Sequence, residues 1–427
     1  MAENGVVGAG GGGFPAAVKL SGRAPTLLVN AAECEPLLHK DKELLVHCRE
    51  EFFAGLREAM ERIGASAGII GIKEKYGGLI GSLEGELPPK VSIHPLPDVY
   101  PAGDEFVLVH EVTGKAIPPG GLPRDVGVVV CNVETLVNIG IGRPVTDKFL
   151  TVAGAVRRPA TLRVPVGVSF GECMDAAGGA AVKGFGVLSG GAMMGTLVRD
   201  LAAPVTKTTG AIVVLPEGHP VLVRYRSSDG QARATGKAAC DQCTFCTELC
   251  PRYLLGHPIQ PHRAMRALGF ETAGETTVEG VQFCCECNLC TMYSCPENLD
   301  PKRVCAAGKE AARRTGAEAR GAVPVAKPHE LMPWRRVPAM RLLRRLGLDQ
   351  FVNEGPLRDA VRAPARVRIP LKQHAGVVAE TVVKVGQKVS VGDLIAAVPE
   401  GELGARVHAS ISGTVAALNG AVTIEAG

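Results

Sequence analysis

The chain has 427 residues, 46% hydrophobic and 21% charged, with a net charge of +4; at about 150 residues per domain, that length predicts about three domains. The 47 basic and 43 acidic residues give no broad phosphate-neutralising surface, and 4% aromatics leave few stacking platforms, so no nucleic-acid partner is expected. No apolar run approaches the roughly 18 residues of a membrane span, and MAENGVVGAG lacks the regions of a signal peptide, so the chain is expected in the cytoplasm.

The pattern predicts a multidomain α/β plus β protein. Residues 1–145 read as α/β. Gly8 to Gly13 satisfies G-x-G-x-x-G, yet only seven residues precede Gly8, too few for the first strand of a dinucleotide-binding unit. The loop reads better as a phosphate cradle, with Pro15 opening a helix and Lys19 adding charge. A plain glycine tract is the alternative. Strands are expected over 26–30, 67–72, 91–96 and 126–133. Between the first two, Leu44, Leu45, Cys48, Phe52, Leu56, Met60 and Ile63 have helical spacing over 41–63, closed by Gly64. Strands alternating with helices predict a mostly parallel sheet.

Residues 146–222 are rich in β-branched residues and turns, with one helix near 170–177. Residues 236–310 hold the cysteines. Residues 311–363 read as a basic, proline-interrupted linker with a helical stretch over 340–348. Residues 364–427 form short strands broken by glycines, a compact all-β module. His374 and His408 in that module read as core or turn residues more readily than as metal ligands.

Ten of the fourteen cysteines fall between Cys240 and Cys305, a clustering that reads as metal ligation. Cys240, Cys243, Cys246 and Cys250 are spaced C-x2-C-x2-C-x3-C before Pro251, the bacterial ferredoxin run. Cys284, Cys287, Cys290 and Cys295 repeat it with one extra residue before the last cysteine, and Pro296 follows. In two-cluster ferredoxins the fourth cysteine of each run ligates the other cluster. One 4Fe-4S cluster is therefore expected on Cys240, Cys243, Cys246 and Cys295. The other is expected on Cys284, Cys287, Cys290 and Cys250. Cys285 and Cys305 are left to packing. A pair of zinc sites would not use eight thiolates in two proline-terminated runs.

VVGAGGGGFPAAVKL, VNAAECEP, YPAGDE (100–105) and GGLPRDVGVVVCNVETL (120–136) resemble, in that order, two related flavin proteins. These are the flavin domain of the Rnf complex C subunit and the FMN-carrying 51-kDa subunit of respiratory complex I. The resemblance implies FMN in the glycine loop, with NADH stacking over it as electron donor. It would place Gly8, Gly10, Gly13, Lys19, Asn30, Glu33, Tyr100, Gly103, Asp104, Glu105, Asn132 and Thr135 around the FMN. Phe14, Glu33 and Glu35 would face the nicotinamide side, the two carboxyls as candidate catalytic groups. Ala32 and Cys131 depart from the complex I pattern, which has Asp and Asn there.

Residues 151–179 resemble the soluble-ligand-binding β-grasp unit that follows the flavin domain in these proteins, read here as a spacer. The C-terminal module resembles a lipoyl- or biotinyl-type barrel-sandwich, but 395–410 contains no lysine to carry a swinging arm. A sandwich placed last resembles the cobalamin reductases of propanediol-utilisation microcompartments. That family implies electron transfer from NADH through FMN and the clusters to a corrinoid or a corrinoid-handling protein. It leaves a place inside a bacterial microcompartment open. The competing reading is an Rnf-type relay to ferredoxin or a membrane redox partner.

Overall fold

The computed structural model describes residues 1–269, 280–314, 327–358 and 364–427. Its first unit is built on β1 (Thr26–Ala31), β2 (Ala67–Lys73), β3 (Val91–Leu96) and β4 (Val128–Asn132). They pair in the order β3-β2-β1-β4, all parallel, as the alternation of strands and helices predicts. From β1 the chain steps to β2 on one side and later returns to β4 on the other, so the strand order reverses between β1 and β4. Asn30 and Asn132 stand side by side at that point. Open α/β sheets bind ligands in the crevice outside the carboxyl ends of strands at such a reversal.

The single helix expected over 41–63 is two helices, Lys40–His47 and Arg49–Ile63, because Cys48 leaves helical geometry at φ −122° and ψ 40°. The second lies flush on the helix Val133–Ile141. There Gly55 faces the Leu136 carbonyl and Gly140 faces that of Glu51, so closely that any side chain would collide. The first turns Lys40, Asp41 and Glu43 inward.

The second unit holds β5 (Asp147–Gly154), β6 (Ala160–Pro165), β7 (Phe185–Ser189), β8 (Thr196–Val198) and β9 (Ala211–Pro216). They order as β6-β5-β9-β7-β8. The one helix, Phe170–Ala176, starts in a capping box formed by Ser169 and Glu172. At the C-terminus, two small antiparallel sheets close over Val367, Ile369, Ile395, Val407, Val415 and Ile424.

Residues 327–358, expected as linker, pack as a strap across the other units. Val337–Pro338 pairs antiparallel with Val99–Tyr100, and Leu357–Arg358 adds to the edge of β6. Val337, Leu342, Leu343, Leu346 and Leu348 make one apolar face, which is buried with Tyr100 and Leu188. That face is the physical reason the segment is not free. Other parts of the expected linker, 315–326 and 359–363, lie outside the described residues. Among the described residues no helix is long and apolar enough to cross a membrane.

Candidate functional site

A cleft of about 1170 Å³ opens at the β1–β4 reversal. One wall is Gly10, Gly11, Gly12, Asn30, Glu33, Glu35, Gly103, Asp104, Glu105 and Asn132. The glycine loop is closed at its stem, where the Gly8 N–H donates to the Phe14 carbonyl at 2.9 Å and the Gly13 N–H to the Gly8 carbonyl at 3.0 Å. Gly11, at φ +110°, and Gly12 face open space, whereas a Cβ on Gly10 would sit 3.3 Å from that of Asn132. A Cβ on Gly103 would likewise press on the Cys34 sulfur at 3.2 Å. Bare loop backbone beside free volume fits an anionic phosphate. The cleft is larger than the roughly 300–1,000 Å³ of a typical single-ligand pocket. These residues fit a flavin with space to spare.

Gly8, Gly13, Phe14, Lys19, Tyr100 and Thr135 do not border the cleft. Gly8, Gly13 and Phe14 form the loop stem. Thr135 braces the loop from behind, its Oγ1 accepting from the Ala9 N–H at 3.0 Å. Lys19 ends the four-residue helix Ala16–Lys19 and is held by Glu105 at 3.2 Å. Tyr100 is buried, its hydroxyl donating to the Cys287 carbonyl at 2.7 Å. Ala32 and Cys131 are packed in the apolar interior, so the departures from the complex I pattern lie away from the cleft. Alternation along β4 sends Cys131 to the core and leaves Asn132 at the cleft.

Two parts of the site escaped the sequence reading. The β-grasp unit is no mere spacer, because Ser189, Thr196, Arg199, Thr206, Thr208 and Thr209 border the opposite side of the cleft. Beneath the glycine loop lies a buried ionic network. Glu134 receives Lys40 Nζ at 2.9 Å, the Lys148 ammonium, and the Phe149 N–H at 3.1 Å. Lys148 also donates to the Ala9 carbonyl at 3.3 Å, and Asn132 to Asp41 at 2.7 Å. Burial opposes the charge on Glu134, but Lys148 and Lys40 outweigh it and hold its carboxyl below the usual range. Burial pulls Lys148 down to about 8 against the attraction of Glu134. The available signal was Lys148 between Asp147 and the largely apolar run FLTVAG.

Burial pushes Glu33 up to about 8, aided by the charge of Asp41, although Glu33 accepts the Asp41 N–H at 2.8 Å. Burial likewise lifts Glu35 to about 7, while its carboxylate accepts the Met193 and Met194 N–H groups at 3.0 and 2.7 Å. Glu35 thus joins the flavin unit to the β-grasp unit. The unfolded chain ionises this carboxyl near 4.5, well before the folded chain does. Its stabilising contribution is therefore full below pH 4.5 and is lost as pH rises through about 7. Glu35→Gln keeps an acceptor and removes the titration, so it should flatten stability across that window by on the order of 1–3 kcal/mol. Urea midpoints of the flavin-free protein at pH 5 and pH 8 check this; an unchanged slope in the variant would contradict it.

The cysteines surround two hollows. Cys240, Cys243 and Cys246 line one together with Cys295 from the second run. Cys284, Cys287 and Cys290 line the other with Cys250 from the first run, and Cys285 also borders it. Both runs fold into the same loop. Gln242 and Thr244 in the first, and Glu286 and Asn288 in the second, take positive φ of 59°, 67°, 57° and 65°. Such alternation turns successive N–H groups inward and builds an anion-binding nest, as iron–sulfur sites use. The extra residue of the second run is absorbed by a π-helical turn, Cys290–Ser294.

Among the described residues no three Cys, His, Asp or Glu side chains converge on a single-ion position. The eight thiolates fall instead into two groups of four around separate hollows, an arrangement that suits two cubanes with one sulfur on each iron. Cys305 is buried in hydrogen-bond contact with Cys284. His374 is turned to the Val377 carbonyl at 3.0 Å, and His408 is buried, consistent with core roles.

The chain matches the Nuo51 FMN-binding domain over residues 1–140, the SLBB domain over 149–197, the 4Fe-4S dicluster domain over 239–300 and the RnfC barrel sandwich hybrid domain over 351–426. It is 42% identical over 420 residues to cobalamin reductase PduS of Salmonella typhimurium, covering 97% of this chain and 93% of that protein. With the PduS protein of Citrobacter freundii it shares 43% over 416 residues, or 96% and 92% of the two chains. The C subunit of the Na(+)-translocating ferredoxin:NAD(+) oxidoreductase complex of Acetobacterium woodii matches at 33% over 261 residues, 58% of this chain and 56% of that one. With this domain order and near full-length identity, the chain belongs to the PduS cobalamin reductase family.

Proposed function

We propose that the protein is a cobalamin reductase that takes electrons from NADH into FMN in the cleft and relays them through two 4Fe-4S clusters to a corrinoid. The observation that carries this reading is the position of Cys287, which borders both the flavin cleft and the hollow shared by Cys250, Cys284 and Cys290. The inner tetrad therefore adjoins the cleft that would hold the flavin. The outer tetrad, Cys240, Cys243, Cys246 and Cys295, does not border the cleft, and its Cys240 and Cys243 are part-exposed. When bound, flavin exchanges a two-electron hydride donor for one-electron acceptors. Gly10, Gly11 and Gly12 would present backbone to its phosphate, Asn30 and Asn132 flank the strand ends, and Asp104 caps the helix Glu105–Thr113 at the edge of the cleft. Glu33 and Glu35, which also border the cleft, would face the nicotinamide. Tyr100 locks the flavin unit to the cysteine loop through the Cys287 carbonyl.

The test is anaerobic reconstitution with FMN, iron and sulfide, which should give about eight irons per chain for two cubanes. NADH should then bleach the flavin and cluster absorption, and added hydroxocobalamin should restore it as cob(II) or cob(I) bands grow. Bleaching without transfer to the corrinoid would replace this reading with a relay to a protein partner. No bleaching by NADH would overturn both.

A further inference from the structure

Arg252 follows the fourth cysteine of the first run by two residues, on the short helix Pro251–Leu254. It is only 8% exposed, an expensive place for a guanidinium unless its charge is used. One end donates to Asp104 Oδ2 at 2.9 Å, and Asp104 borders the flavin cleft. Its central carbon lies over the Phe106 ring, 3.5 Å from the ring centre, and the group is in hydrogen-bond contact with Cys285. Its Nε has no hydrogen-bond partner. The charge therefore lies between a carboxylate of the flavin site and the thiols around the inner hollow. A lysine could supply the charge there, but not the planar stack or the two-ended fork.

We infer that Arg252 is a positioning residue that ties the flavin cleft to the inner cysteine tetrad and whose positive charge holds the potential of the cluster there up, with Asp104 offsetting part of it. This rests on the reading that Cys250, Cys284, Cys287 and Cys290 hold a cluster. A cation beside a cluster that becomes more negative on reduction favours the reduced form, and burial keeps the effect local. The same geometry makes Asp104 bear on both cofactor sites, since its Oδ1 caps the helix beside the flavin while Oδ2 faces Arg252.

The experiment is an EPR-monitored redox titration of the reconstituted holoprotein and its variants. Arg252→Met should lower one cluster midpoint by at least tenfold in its reduction equilibrium, about 59 mV for one electron, and leave the other in place. Arg252→Lys should keep that midpoint near wild type, because it retains the charge. Asp104→Asn should raise the same midpoint. Unmoved midpoints in an assembled Arg252→Met protein would overturn the inference, as would equal shifts in the Met and Lys variants, which would make the role one of packing. If Arg252→Met fails to assemble, Asp104→Asn decides the question: a raised midpoint of one cluster supports the inference and an unmoved one overturns it. A wild-type protein that titrates only one cluster would instead overturn the reading on which the inference rests.

Discussion

Replacing Cys287 with serine is expected to stop NADH-driven corrinoid reduction while NADH still bleaches the flavin. Cys287 is the one cysteine of the two runs that borders both the flavin cleft and a cysteine hollow. It is buried, and its backbone is anchored by Tyr100. Serine offers a harder, less readily ionised oxygen in place of the thiolate that iron–sulfur clusters require. Loss of a ligand itself should exceed the roughly 10–100-fold that losing an outer-shell partner costs. Parallel stopped-flow traces at a flavin wavelength and a corrinoid wavelength check this, with iron content measured on the same sample. The flavin trace should survive because Gly10, Asn30 and Asn132 stand on another unit of the chain. Corrinoid reduction at near wild-type rate would show that electrons bypass the inner tetrad.

Glu134→Gln is expected to be the most destabilising single change beneath the flavin cleft, costing about 3–5 kcal/mol, the usual range for breaking a buried ion pair from one side. Glu134 is fully buried and is the shared anion of Lys40 and Lys148. Glutamine keeps an acceptor for the Phe149 N–H but leaves two buried ammonium groups with Asp41 as the nearby anion. The pH dependence has a definite sign. Lys148 titrates near 8 in the folded protein and near 10.5 when free, so between those values the unfolded chain holds the extra proton and stability rises with pH. Without Glu134, Lys148 loses its proton at lower pH, and the window opens earlier. The deficit measured by urea unfolding should thus be smaller at pH 9 than at pH 7. Flavin content should fall with stability, because Lys148 also holds the Ala9 carbonyl of the glycine loop. An equal deficit at both pH values would argue that Lys148 is not the group responding.

The component units were legible in the linear pattern. Strand and helix alternation over 1–145 was enough for a parallel sheet, because apolar periodicity reports which face a segment buries. The two cysteine runs were legible because ligand spacing is local. Three thiolates within seven residues already specify a loop, and the structure repeats that loop with left-handed residues at the same positions in both runs. The glycine loop was legible for the same reason.

How those units meet was not legible there. Nothing in local spacing could say that Lys19 turns to Glu105 while Lys148, far along the chain, supports the loop. Nor could it show that β-grasp residues such as Arg199 and Thr206 border the cleft, or that the basic segment 327–358 straps the units together. The position of Cys287 between two sites, and of Arg252 beside Asp104, likewise comes from units separated by more than a hundred residues. Such contacts are set by how separately folded layers dock, through burial and charge pairing summed over the whole interface. A linear pattern records which side chains are available for that docking; only the packed molecule decides which of them meet.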